Sequence, residues 1–154
     1  MNAIQDDEVY FNALRSAGLI LGLGSTFVGV GLGLRESVIG ICLSAECKPD
    51  LSLTIVPFAF ITASIIYSLI IFFMVRNVQI NNYEAAFKFL TATLISGIGG
   101  FCSSWANGGI ARYACVTKSK QKKFTTQFFL MMIFAELIAL FALIMTIAYA
   151  PKTS

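Results

Sequence analysis

The sequence predicts an all-α membrane protein of four transmembrane helices, arranged as two copies of one helical hairpin. Three observations carry this. First, 57% of the 154 residues are hydrophobic and only 12% are charged, with a mean hydropathy of +0.80. Soluble domains run at about 45–50% apolar and about 25% charged, and a chain this short cannot hide the excess from water. Second, four apolar stretches each reach the roughly 20 residues that a helix needs to cross about 30 Å of hydrocarbon. Third, the second half of the chain repeats the pattern of the first.

The stretches divide the chain into a polar N-terminal segment at 1–12, a first hairpin at 13–78, a second hairpin at 83–150 and a short tail at 151–154. The first span is expected over Ala13–Leu34 and the second over Leu51–Val75. The third covers roughly Tyr83–Ile110, and the fourth, Phe124–Ala150, reads FTTQFFLMMIFAELIALFALIMTIAYA. The N-terminus opens on acids and lacks the basic start and small-residue cleavage site of a signal peptide. Its polar residues are expected to be disordered, or else a short extension at the pore.

Lysine and arginine set the expected orientation. Arg35, Lys48, Arg112, Lys118, Lys120, Lys122 and Lys123 fall after the first and third spans, against Arg15, Arg76, Lys88 and Lys152 on the other side. The positive-inside rule then places the two connecting loops in the cytosol and both termini in a lumen. The run KSKQKK also suits anionic lipid. A formal net charge of +3, with no basic patch interleaved with aromatics, gives no reason to expect nucleic acid.

Spans one and three are rich in small residues; spans two and four are bulky throughout. In lipid no hydrophobic force drives helix to helix, so association rests on small residues that let backbones approach. Gly29 and Gly33 in the first span, with Gly97 and Gly108 in the third, are the candidate packing positions. FITASIIYSLI (Phe60–Ile70) aligns with FAELIALFALI (Phe134–Ile144), setting Thr62 opposite Glu136, and GVGLG (Gly29–Gly33) aligns with SWANG (Ser104–Gly108). Of the two aligned bulky spans, only the second carries a carboxylate.

Glu136 lies near the middle of the fourth span. A charged acid at the bilayer centre costs about 2.5–3.5 kcal/mol on insertion scales, so this carboxyl is expected to spend most of its time protonated and to lose its proton when water or a cation reaches it. Thr62, Ser64 and Tyr67 on the second span are its expected hydrogen-bond partners, although membrane hydroxyls often bond their own backbone. That span offers no Asn or Gln beside the acid, which favours a proton over sodium as the ion. The four cysteines fit no metal-ligand spacing and there is no histidine, so neither metal nor other cofactor is expected; Cys102 reads as a small packing residue.

IFAELIALFALIMTI (Ile133–Ile147) closely resembles the last helix of the V-type ATPase proteolipids, where the motif runs like IFAEVLGLYGLIV. GVGLG resembles the family's GAAYG, KPDL (Lys48–Leu51) its RPEL, and Pro57 and Tyr67 match its Pro and Tyr. Phe141, Ala139, Ala142, Trp105 and Asn107 depart from the family pattern; Glu136 does not. The resemblance is to the c or c′ type, since the c″ type carries its glutamate in another hairpin. It implies a ring of proteolipids in the membrane rotor, homo- or hetero-oligomeric, turning against the a subunit of the V-ATPase stator and coupled through the d subunit. It further implies that Glu136 carries protons to acidify a vacuolar or other endomembrane lumen. No phosphate-binding loop occurs in the chain, so ATP hydrolysis would take place elsewhere in the complex. Two other readings of the residues stand beside this: a four-span scaffold with a structural glutamate, and a stand-alone channel.

Overall fold

The computed structural model describes residues 2–47, 55–80 and 82–151. Lys48–Leu51 and Lys152, which entered the sequence reading, lie outside them. Four helices account for nearly all of the described chain: α1 (Asn2–Cys47), α2 (Val56–Val75), α3 (Tyr83–Lys120) and α4 (Thr125–Tyr149), with a single 3-10 turn at Lys122–Phe124 before the last. All four are long and apolar enough to cross a membrane.

Two of the helices outrun their expected spans. At 1.5 Å per residue, α1 is about 69 Å long and α3 about 57 Å. Residues 2–12, expected to be disordered or a short extension, continue α1 without a break. Proline is absent from residues 2–47, so the first strong local stop signal is Pro49, which disfavours helical backbone just before it. Arg35 and Arg112, expected in loops, therefore sit on helices. α2 starts as proline chemistry predicts, with Pro57 in its first turn. At the start of α3, the Asn82 side chain accepts a 2.7 Å hydrogen bond from the Ala85 amide, an N-cap.

Packing follows the small residues. Among the described residues α3 touches the other three helices, its seam with α1 is the most extensive, and α1 and α4 do not meet. Along that seam Gly22 lies against Thr93, Gly29 against Phe101, Gly33 against Ser104 and Gly108, and Gly40 against Arg112. The numbers rise together, so α1 and α3 run parallel. Gly97 meets Gly22 and Ser25 on the same seam. A Cβ added at Gly29 would come 2.5 Å from the Phe101 Cα, so the backbones approach as only glycine permits. α3 and α4 run antiparallel instead: Gly99 meets Ala142, while Thr146 donates to the Ala92 carbonyl at 3.1 Å.

Two apolar clusters bracket the middle of the bundle. One joins Ala111, Ala114, Cys115, Phe128 and Met132; the other joins Ile71, Val75, Val78 and Phe89. Between them lies a layer of buried polar side chains: Ser64, Ser103, Ser104, Asn107 and Glu136. Cys102 is exposed on the chain's own surface rather than packed inside, and all four cysteines are free thiols.

Candidate functional site: the buried carboxyl between α3 and α4

α4 buries one face, formed by Phe128, Met132, Ala135, Glu136, Ala139, Ala142 and Thr146. The three alanines hold that face close to α3, and Glu136 is thereby turned inward, away from lipid. Only 7% of it is exposed.

Its partners come from the facing helix. Ser103 Oγ donates to Glu136 Oε2 at 3.3 Å and Asn107 Nδ2 donates to the same oxygen at 3.2 Å. Ser103 and Asn107 are four residues apart, so one face of α3 presents both. Tyr67 on α2 interacts with the carboxyl from a third side, short of a well-formed hydrogen bond. Oε1 is consequently buried with no hydrogen-bond partner, and so are Asn107 Oδ1 and Ser64 Oγ.

That distribution corrects the expected partner set. Thr62 donates to the Phe58 carbonyl of its own helix at 2.8 Å, and Ser64, though fully buried, forms no bond to the acid. Of the three expected residues only Tyr67 reaches Glu136. Sequence reasoning misses Ser103 and Asn107 in this role; Asn107 reads there only as a departure from the family pattern. The signal that could have found them is their i, i+4 spacing in α3. An amide is lacking beside the acid on α2 alone, because α3 supplies Asn107.

Among the described residues no ion pair reaches the carboxyl. The ion pairs among the described residues are Glu84–Lys88, exposed, and Arg112–Glu36, which joins α3 to α1 at 2.5 Å. Glu36 lies three residues beyond Gly33, which packs at the level of Ser104 and Gly108, so this second pair sits within about a turn of the Glu136 layer. Charges at such depth are expected to be paired. Glu136 is the exception. Isolated among helices, it is held by two donors on one oxygen and by none on the other.

The family described as the C subunit of ATP synthase matches residues 90–148, a stretch that contains Ser103, Asn107 and Glu136. The c subunit of the V-type proton ATPase of Candida tropicalis is 26% identical over 150 residues, covering 95% of this chain and 93% of its own length. The chain is thus similar to the V-type ATPase proteolipids. The exposed side chains of α2 and α4, among them Ile66, Phe73, Phe134 and Phe141, are large and apolar, and suit lipid or a neighbouring copy rather than water.

Proposed function

We propose that this proteolipid carries protons on Glu136 as its ring turns, driven by ATP hydrolysis elsewhere in the complex, and so acidifies the lumen of a vacuole or related endomembrane compartment. The observation that carries this reading is the half-satisfied carboxyl. Ser103 and Asn107 fix Oε2 as an acceptor, which leaves Oε1 as the atom that binds the proton. A buried carboxyl with no cationic partner is tolerated in hydrocarbon only as the neutral acid, so the loaded proteolipid passes through lipid. When a cation on the stator approaches, opposite charge favours the ionised form and Oε1 releases its proton. Tyr67 holds the side chain in place between uptake and release. It is thus a positioning residue, with Thr62 and Ser64 outside the proton's path.

The partners in this reading are other proteolipids in the ring, the a subunit of the stator, the d subunit on the cytosolic side, and membrane lipid. Both termini face the lumen, and the loops between the helices of each hairpin face the cytosol. The proton is preferred to sodium because Asn107 turns an N–H, not its carbonyl, to the carboxyl.

Replacement of Glu136 by Gln in the assembled complex tests the reading. The amide keeps the shape and the acceptor oxygen but cannot release a proton. Rings should assemble at normal yield while ATP-driven acidification of sealed vesicles falls to background. Acidification at the parental rate would refute the proposal.

A further inference from the structure

Between α3 and α4, toward the turn that connects them, lies an open groove of about 460 Å³. Ile110, Tyr113, Ala114 and Thr117 of α3 form one wall, with Phe124 of the turn and Met131 of α4 opposite. A Cβ added at Gly109, at the deep end, would meet nothing within 4 Å. Tyr113 is 70% exposed, so the chain itself leaves the groove uncovered.

Cations stand at the other end. From Gly109 to Ala135 the sequence has five lysines and arginines and no acid. Lys120 and Lys123 are both exposed, and neither belongs to the ion pairs Glu84–Lys88 and Arg112–Glu36. Lys120 follows Tyr113 by two turns on the same face of α3, and Lys123 adjoins Phe124.

Depth can be measured from Asn107, which bonds Glu136 near the middle of its span. At 1.5 Å per residue, Tyr113 lies about 9 Å beyond Asn107, Thr117 about 15 Å and Lys120 about 20 Å. Along the last helix and its turn, Met131 lies about 7.5 Å from Glu136 and Lys123 about 20 Å. Half the hydrocarbon core is about 15 Å thick, and half the bilayer with its headgroups about 20–22 Å. The groove therefore ends where acyl chains end, and the two lysines stand at headgroup height.

We propose that this groove and Lys120 with Lys123 form a site for an anionic phospholipid. One acyl chain lies against Tyr113, Ala114 and Met131, and the headgroup phosphate meets the two lysines. A soluble acidic partner would satisfy the lysines but has nothing to place among helices below the headgroups. A zwitterionic lipid would fill the groove without supplying net negative charge. Basic pockets between membrane helices take anionic headgroups on this principle. The site rests on the helices crossing a bilayer and is independent of proton carriage by Glu136.

Photolabelling tests it. The assembled full-length protein is reconstituted in phosphatidylcholine vesicles carrying a trace of phosphatidylserine with a diazirine in its acyl chain, or of phosphatidylcholine labelled in the same way. Mass spectrometry should place adducts within residues 109–117 and 124–131, with phosphatidylserine favoured about fivefold or more. Raising the salt concentration should shrink that preference. Lys120→Gln with Lys123→Gln should abolish it while labelling of α2 at Phe73 stays the same, and Glu136→Gln should label as the parent does. Equal labelling by the two lipids would reduce the groove to ordinary lipid contact, and no adducts there would mean that another copy covers it. Either result overturns the site. So would a preference that survives the double substitution, or one that inorganic phosphate removes at matched ionic strength, which would give the lysines to a soluble anion.

Discussion

The two hairpins share one plan and differ at one layer. In the second, Glu136 on α4 faces Ser103 and Asn107 on α3. In the first, the aligned position on α2 is Thr62, whose hydroxyl bonds its own helix, and the positions on α1 aligned with Ser103 and Asn107 are Val28 and Leu32, both apolar and both exposed. The polar contact that joins α1 to α2 lies elsewhere, as a 2.8 Å hydrogen bond between Thr26 and Ser68. The carboxyl and its donors thus occur together or not at all. A membrane helix does not acquire a working acid by one substitution; the facing helix must also provide hydrogen bonds, because a buried polar group left unpaired is costly.

That comparison can be broken most severely at the shared seam. Gly33→Val would push a branched side chain into the Ser104 carbonyl and the Gly108 backbone. The two hairpins should part at a cost upwards of about 3 kcal/mol, seen as loss of folded, membrane-extractable protein; normal yield would contradict the seam. Moving the acid comes next. The exchange Thr62→Glu with Glu136→Thr moves the carboxyl to the first hairpin, where the aligned α1 positions are Val28 and Leu32, and proton uptake by sealed vesicles should stay at background although rings assemble. Recovery of uptake would mean that the donors on α3 are dispensable.

Smaller effects sharpen the contrast. Asn107→Leu removes one donor to a group that the proposed cycle leaves charged for part of the time, a loss of about 1–3 kcal/mol, or roughly five- to 150-fold in the proton-transport rate. Ring yield should not change, and Asn107→Gln should restore part of the rate, which a purely structural role would not predict. Thr62→Val should do least. Its hydroxyl serves its own helix, so stability should move within about 0.5 kcal/mol and transport should match the parent. A transport defect there would bring Thr62 back to the proton site.

The architecture is legible in the sequence because lipid imposes it. Length, hydropathy and the alternation of glycine-rich with bulky spans lead directly to four helices and to close packing by α1 and α3. The helix ends are less legible. Polar residues such as Asp6, Asp7 and Glu8 read as leaving the membrane, yet leaving the membrane does not end a helix, and α1 runs through them. Glu136 is legible as a lone acid in a long apolar run. Its partners are not, because the choice between Thr62 and Asn107 depends on how α2, α3 and α4 are rotated about their axes. The pairing of Arg112 with Glu36 is hidden for a related reason: those residues are 76 apart in sequence and meet only because glycines let α1 and α3 close on each other.

The most direct measurement is the site of reaction with a hydrophobic carbodiimide, which attacks protonated carboxyls within membranes. In the intact complex, mass spectrometry should find the adduct on Glu136, acidification should fall in proportion to the fraction modified, and added sodium should not protect. An adduct on Glu36 with Glu136 unmodified, protection by sodium, or full acidification after complete labelling of Glu136 would contradict the account.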